Sequence, residues 1–250
     1  TLLDNTQTGL QYSDRLDIMG TGTLNIDESR QLQLITQYYK SQGDDDYGLN
    51  LGKGFSAIRG TSTPFVSNGL NSDRIPGTER HLISLQYSDS AFLGQELVGQ
   101  VYYRDESLRF YPFPTVNANK QVTAFSSSQQ DTDQYGMKLT LNSKPMDGWQ
   151  ITWGLDADHE RFTSNQMFFD LAQASASGGL NNKKIYTTGR YPSYDITNLA
   201  AFLQSGYDIN NLFTLNGGVR YQYTENKIDD FIGYAQQRQI AAGKATSADA

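Results

Sequence analysis

The segment Tyr135-Gly136-Met137-Lys138-Leu139-Thr140-Leu141-Asn142 is followed, across Lys144-Pro145-Met146-Asp147-Gly148, by Trp149-Gln150-Ile151-Thr152-Trp153-Gly154-Leu155-Asp156. On both sides of the break one parity is apolar: Tyr135, Met137, Leu139 and Leu141, then Trp149, Ile151, Trp153 and Leu155. The other parity carries Gln134, Lys138, Thr140, Gln150, Thr152 and Asp156. Successive side chains of a strand point to opposite faces, so a period of two describes strands with one apolar face. The Pro and Gly between them punctuate a tight turn.

The same unit recurs in both directions along the chain. Leu16, Ile18, Gly20, Gly22, Leu24 and Ile26 are joined through Asp27-Glu28-Ser29-Arg30 to Leu32, Leu34, Thr36 and Tyr38. Ile83, Leu85 and Tyr87 are joined through residues 88–94 to Leu97, Gly99, Val101 and Tyr103, with Arg80, Ser84, Gln86, Gln100 and Arg104 on the opposite parity. Downstream, Leu199, Ala201, Leu203 and Tyr207 turn at Asp208-Ile209-Asn210-Asn211 into Phe213, Leu215, Val219, Tyr221 and Tyr223. The hairpins are separated by stretches near residues 41–79, 105–132, 160–194 and 225 onward, roughly 25 to 40 residues each, lengths that mark functional or disordered segments.

Aromatic residues mark the ends of the apolar sets. Tyr87, Trp149, Tyr207 and Phe213 stand beside short turns; Tyr38, Tyr103, Tyr135 and Tyr223 stand beside long connections. Two belts of rings with one polar edge suit the two surfaces of a bilayer. The expected fold is therefore all-β: an antiparallel transmembrane β-barrel segment of about eight strands, with short periplasmic turns and long extracellular loops, crossing the bacterial outer membrane many times. A soluble β-sandwich explains the alternation but neither the belts nor the loop asymmetry. Within the long loops, Ser164 or Asn165 is expected to cap a short helix through Phe168, Phe169, Leu171 and Ala174 that stops at Gly178-Gly179, and a second helix is expected over residues 234–242.

Composition is consistent with this. The 250 residues are 37% hydrophobic with mean hydropathy −0.57, and no run of about 18 apolar residues exists to form a helical span. Barrel strands show lipid only every second residue, so a low average is compatible with membrane insertion. A net charge of −7, from 20 basic and 27 acidic residues, gives no footprint for nucleic acid. Cysteine is absent, which removes disulfides, thiolate nucleophiles and Cys-based zinc sites. Thr1-Leu2-Leu3-Asp4 has neither the basic nor the apolar region of a signal peptide.

Tests for catalytic and metal motifs fail. Residues 48–54, Gly-Leu-Asn-Leu-Gly-Lys-Gly, have one residue too few for a phosphate loop and lack the Ser or Thr that would hold magnesium. Asp44-Asp45-Asp46 lacks the alternating spacing and closing Glu of a calcium loop. His81 and His159 lie near the long-loop ends of their strands, where a barrel hydrolase would hold its residues, but no nucleophile motif accompanies them. An enzyme is not expected. The remaining chemistry is a set of rim groups suited to a bulky anionic ligand: Arg104, Arg109, Tyr111, Phe113, Arg161, Arg190 and Tyr191, with Arg59 and Arg74 in the same supply. Arginine grips anionic oxygens through a planar fork, and rings give rigid faces. The competing structural reading is a complete small barrel acting as an adhesive or structural surface protein.

Three stretches carry a likeness to a known family: residues 20–30, Gly-Thr-Gly-Thr-Leu-Asn-Ile-Asp-Glu-Ser-Arg; residues 38–48, Tyr-Tyr-Lys-Ser-Gln-Gly-Asp-Asp-Asp-Tyr-Gly; and residues 109–114, Arg-Phe-Tyr-Pro-Phe-Pro. With them the whole chain resembles a TonB-dependent siderophore receptor. The resemblance implies a barrel of about 22 strands around an N-terminal plug, coupled to TonB, the energy-transducing protein of the periplasm. No coupling box, plug-like segment or C-terminal aromatic is legible, so residues 1–250 read as a partial barrel domain from the middle of the wall. It further implies a citrate-based ferric hydroxamate as ligand, bacteriocins or phage as further partners, and outer-membrane lipid around the wall. Ferric iron carried inside such a chelate is held by hard oxygens, so no cofactor or metal site of the protein's own is expected.

Overall fold

Register turns the alternation into two faces. In the computed structural model, which describes residues 13–43, 77–110, 113–116, 118, 122–177, 183–241, 243–244 and 246, the strands are β1 (Ser13–Asn25), β2 (Arg30–Gly43), β3 (Gly77–Phe92), β4 (Gln95–Arg109), β5 (Phe113–Val116), β6 (Val122–Met146), β7 (Trp149–Phe169), β8 (Lys184–Gly189), β9 (Tyr194–Asn210) and β10 (Phe213–Ile228). Two helices, α1 (Leu171–Ser177) and α2 (Tyr234–Ala241), follow β7 and β10. Eight strands form an antiparallel wall in the order β1-β2-β3-β4-β6-β7-β9-β10, and β5 and β8 pair with β6 and β7 off that path. Among the described residues β1 and β10 pair on one side only.

One row across the wall reads Gly22, Leu34, Leu85, Val101, Met137, Ala157, Leu199 and Tyr223. The next row, on the other face, reads Thr23, Gln33, Gln86, Gln100, Lys138, Asp156, Ala200 and Gln222. The apolar face is the exposed one: Leu34, Leu85, Val101, Met137, Leu199 and Tyr223 all stand out. Its opposite is more enclosed, with Ser84 buried and cross-strand hydrogen bonds such as Gln100 to Ser84 (2.9 Å), Thr152 to Asn142 (2.8 Å) and Asn198 to Asp158 (2.9 Å). Exposing so many large apolar side chains to water is unfavourable by about 25 cal/mol per Å². Lipid removes that penalty, as in a barrel wall whose inward groups are polar.

Tyrosine hydroxyls bracket the apolar band. Toward the long-loop end, Tyr38 donates to Glu79 (3.3 Å) and Tyr103 to Asp133 (2.8 Å); toward the short-turn end, Tyr87 donates to Asp89 (3.3 Å). Each ring stays on the apolar face and sends its polar atom away from the centre, as an interfacial tyrosine should.

Strand pairing runs further than the sequence pattern suggested. The turn expected at 88–94 contracts to Leu93 and Gly94, both in the left-handed region (φ 49° and 76°). That combination gives the twist of a tight type I′ hairpin. The turn expected at 144–148 contracts to Asp147-Gly148, and the one expected at 208–211 narrows and shifts to Asn211-Leu212, because further ladder hydrogen bonds satisfy backbone groups that a looser turn would leave to water. Successive turns are also staggered. β3 runs past Asp89, the partner of Arg30, to Phe92; β6 runs past Asn142, the partner of Glu96, to Met146; β9 runs past Tyr207, the partner of Trp149, to Asn210. Such a steady offset is the shear that tilts the strands of a barrel.

The long connections are corrected more substantially. Much of 105–132 and 160–194 is strand: β4 and β7 continue to Arg109 and Phe169, and β5 and β8 extend the sheet above the wall. Helix α1 does not begin at Ser164 or Asn165. Phe168 and Phe169 stay in β7, paired with Tyr186 and Lys184, and the cap is Asp170, whose carboxylate accepts the Gln173 amide at 2.9 Å. The second helix appears as expected, as α2. On one face of this extension Phe125, Met167, Phe169 and Ala174 form a buried cluster with Leu171 against it. On the other, Phe168 stacks with Tyr186 (4.7 Å) and with Tyr234 of α2 (4.4 Å). The two helices therefore clasp opposite faces of one sheet. The Gly48–Gly54 and Asp44–Asp46 motifs, Arg59, Arg74, Gly178-Gly179 and the Thr1–Asp4 segment lie outside the described residues.

Candidate ligand-binding wall

Two rows of the polar face, at the long-loop end, carry the groups that suit an anionic ligand. The lower row reads Gln37, Leu82, Arg104, Gln134, Glu160 and Ile196; the upper reads Tyr39, Arg80, Glu106, Thr132, Phe162 and Tyr194. Arg80 and Arg104 are diagonal neighbours, because Arg104 faces Leu82, two positions along β3 from Arg80. Side chains in that relation lie within reach of a common partner.

The two arginines differ in how they are held. Arg80 Nε donates to Glu106 at 2.7 Å, and its guanidinium lies 5.8 Å from the Tyr39 ring centre. It is oriented and neutralised. Arg104 makes no ion pair among the described residues, and its Nε is buried without a hydrogen-bond partner. A buried guanidinium N–H left without a partner is unfavourable by about 1–3 kcal/mol. Across the same face Phe162 and Tyr194 stack at 4.8 Å and 13°, giving a flat apolar surface two strands from Arg104.

The other sequence-derived candidates are distributed differently. Arg109 and Arg161 share the parity of Val101 and Ala157 and belong to the outward face. Arg109 lies 3.9 Å from Glu79, and Arg161 lies 3.5 Å from Asp195. Arg190 sits between β8 and β9, where its guanidinium bonds the buried Ser128 hydroxyl and lies 5.6 Å from the Phe110 ring and 5.2 Å from the Tyr191 ring. Arg190 and Tyr191 are thus brought together; Tyr191 is exposed. Phe113 pairs through its backbone with Ser126, and Tyr111 lies outside the described residues. Tyr39, Arg80, Phe162 and Tyr194 were missed. For Arg80 the signal was present in its parity with Arg104; Phe162 and Tyr194 were hidden because their segment reads as loop.

Both histidines are on the outward face. His81 Nδ1 is 2.9 Å from Asp105 and its ring stacks on Tyr38 at 4.9 Å; His159 lies 3.0 Å from Thr197 Oγ1 and 3.2 Å from Asp195. These contacts join neighbouring strands.

A family model described as the β-barrel of TonB-dependent receptor-like proteins matches residues 19–248. The chain belongs to the TonB-dependent receptor β-barrel family. It is 99% identical over all 250 residues to the ferric aerobactin receptor of Escherichia coli, of which it covers 34%. It is 42% identical over 246 residues to the rhizobactin receptor of Rhizobium meliloti (strain 1021), covering 33% of that protein. The chain thus spans about a third of the length of the curated relatives it matches. Among solved structures, the copper transporter OprC superposes on 87% of this chain and 29% of its own at TM-score 0.61 and 13% identity. The unliganded ferric citrate transporter FecA does so on 86% and 30% at TM-score 0.57 and 15% identity. At those identities the superpositions speak to fold alone: a section of antiparallel β-barrel wall. The curated relatives are receptors rather than enzymes, in keeping with the structural role of both histidines in this receptor section.

Proposed function

We propose that this chain forms part of the wall of an outer-membrane receptor that binds ferric aerobactin and imports it with energy supplied through TonB. The observation that carries this reading is the 99% identity, over every residue of the chain, to a ferric aerobactin receptor. The wall geometry gives it chemistry. Ferric aerobactin is a citrate-based hydroxamate chelate that satisfies iron with its own oxygens and presents a negative exterior, so recognition requires donors and flat surfaces rather than metal ligands. Arg104 supplies an uncommitted cation, Arg80 and Glu106 a fixed polar neighbour, and Phe162 with Tyr194 a stacked surface. Arg190 and Tyr191 stand above them on the extension. Bacteriocins or phage would approach the same loop end.

The test is titration of ferric aerobactin into the full-length receptor and its Arg104→Gln variant. One charge-assisted hydrogen bond is worth about 1.5–3 kcal/mol, so the affinity should fall by about 10- to 150-fold. Unchanged affinity would remove Arg104 from the site. Growth on ferric aerobactin as the sole iron source should require both this receptor and TonB; growth without either would defeat the transport reading.

A further inference from the structure

Glu106 stands between two arginines of the polar face. Arg80 is its cross-strand partner on β3, and Arg104 precedes it by two positions on β4. Among the described residues only Arg80 takes up its charge, Nε donating to the carboxylate at 2.7 Å, while the Arg104 Nε has no partner. Without Glu106, two diagonal guanidinium groups would share one region of the wall with no carboxylate between them.

The other charges of this face stand further off or are engaged. Arg15 and Asp17 share the face on β1, two strands from β3, and Asp17 accepts from Gln37 at 2.9 Å. Asp158 and Glu160 lie two strands from β4; the first accepts the Asn198 amide at 2.9 Å and the second the Tyr194 hydroxyl. Lys138 is four positions below Gln134, opposite Asp156, and Arg190 bonds Ser128, four positions above Thr132. By register, no other described carboxylate of this face lies within one strand and one row of Arg80 or Arg104.

Two free guanidinium groups side by side would grip any small polyanion through several forked hydrogen bonds. A single one holds such an anion weakly. With Arg80 occupied, a ligand must gain the rest of its affinity elsewhere, and the Phe162–Tyr194 stack begins two strand spacings, roughly 10 Å, from β4. A compact tricarboxylate cannot touch both places; a ferric hydroxamate chelate can.

We infer that Glu106 is a specificity-determining residue: by occupying Arg80 it leaves Arg104 as the wall's uncommitted guanidinium, which shuts out small polyanions and retains only an anionic chelate bulky enough to reach the Phe162–Tyr194 rings. Selectivity then comes from weakening the competitor as much as from fitting the ligand. The inference deepens the reading of this wall as a ferric aerobactin site and rests on it.

Titration of the full-length receptor with ferric aerobactin, with tricarballylate as competitor, tests the role. Tricarballylate is a tricarboxylate without citrate's iron-binding hydroxyl, so it leaves the chelate intact. In the wild type, millimolar tricarballylate should not displace ferric aerobactin. Glu106→Gln should bind the chelate about tenfold tighter, as expected from removing one like charge at this spacing, and should lose it to millimolar tricarballylate. Adding Arg80→Gln to that variant should restore both wild-type behaviours. Arg80→Gln alone, which leaves the carboxylate free beside Arg104, should weaken chelate binding about tenfold by the same reckoning.

Unchanged or weaker chelate binding by Glu106→Gln, continued resistance to tricarballylate, or a double variant that behaves like Glu106→Gln would overturn the inference, as would unchanged affinity in Arg80→Gln. A carboxylate that merely braced the strands would weaken binding when removed and would admit no new competitor. If the wild type does not bind ferric aerobactin, the site reading beneath the inference falls; if it binds the chelate and loses it to tricarballylate, the inference alone falls.

Discussion

Among the described glycines Gly154 has the least room. A Cβ built there would lie 2.2 Å from the Leu139 carbonyl oxygen and 2.6 and 2.7 Å from ring atoms of Phe202, its partner on β9. The ring could swing aside, but the carbonyl belongs to the β6–β7 ladder and moves only if the ladder bends. Overpacking of this kind is unfavourable by about 1–3 kcal/mol, and a backbone obstacle puts Gly154→Ala at the upper end. Loss of glycine's freedom in the unfolded chain offsets about 0.4–1 kcal/mol of that, leaving a net destabilisation of about 2 kcal/mol. Gly22, also mid-strand, has nothing within 4 Å of its Cβ position, so Gly22→Ala keeps the unfolded-state gain and should stabilise slightly. Urea unfolding of the full-length receptor refolded in micelles, followed by tryptophan fluorescence, would separate the two variants by about 3 kcal/mol. Gly136→Ala should fall between them, because its obstacles are the Ala157 carbonyl and the Tyr102 ring end, each at 2.8 Å. A midpoint for Gly154→Ala at or above that of Gly22→Ala would refute the packing argument. The same glycine–aromatic pairing, a ring laid over a strand glycine, is a known device for pinning register.

Other outcomes follow from the turn and the loops. The Arg30 side chain, then the Ser29 amide, hold the Asp27 carboxyl well below the usual carboxylate range. Because its folded pKa is lowered, the turn's stabilisation is complete above the unfolded value of about 4 and is lost only as the pH falls through the lower folded value. Hydrogen exchange at pH 3 should still find the Ser29 and Arg30 amides protected, and loss of protection with a midpoint near 4 would contradict the pairing. Tyr234→Ala should remove a stacked pair worth about 0.5–1.5 kcal/mol beyond its area, loosen α2 and speed tryptic cleavage after Arg238. Cleavage at the wild-type rate would show that the stack does not hold the helix. The Tyr186 phenol, pushed up to about 12 chiefly by burial, should remain un-ionised in a spectrophotometric titration until strongly alkaline pH.

Alternation revealed the wall because a strand's side chains sort by parity wherever one face meets lipid and the other polar groups. Arg80 and Arg104 were on the correct face from parity alone. The extension above the wall was hidden for a physical reason. There both faces are covered, one by α1 and one by α2, so Phe168 and Phe169 are both buried and adjacent apolar residues replace the alternation. A doubly covered strand and a short buried helix look alike in sequence, which is why a helix was expected from Ser164 onward. Arg109 and Arg161 were attractive by type, and only register shows that they share the outward face. Nothing local in the sequence announces Arg104 as uncommitted, since that depends on Glu106 lying beside Arg80 instead.

The even stagger of the hairpins has a consequence for how such walls change. Each turn is offset from the previous one by nearly the same step, so a hairpin added to or taken from the series meets its neighbours in the register they already use. Circumference is then set by counting rather than by any residue that specifies curvature. A lineage could widen or narrow its pore by whole hairpins while every surviving strand kept its contacts, and the loops riding on those strands would be carried around the rim unchanged.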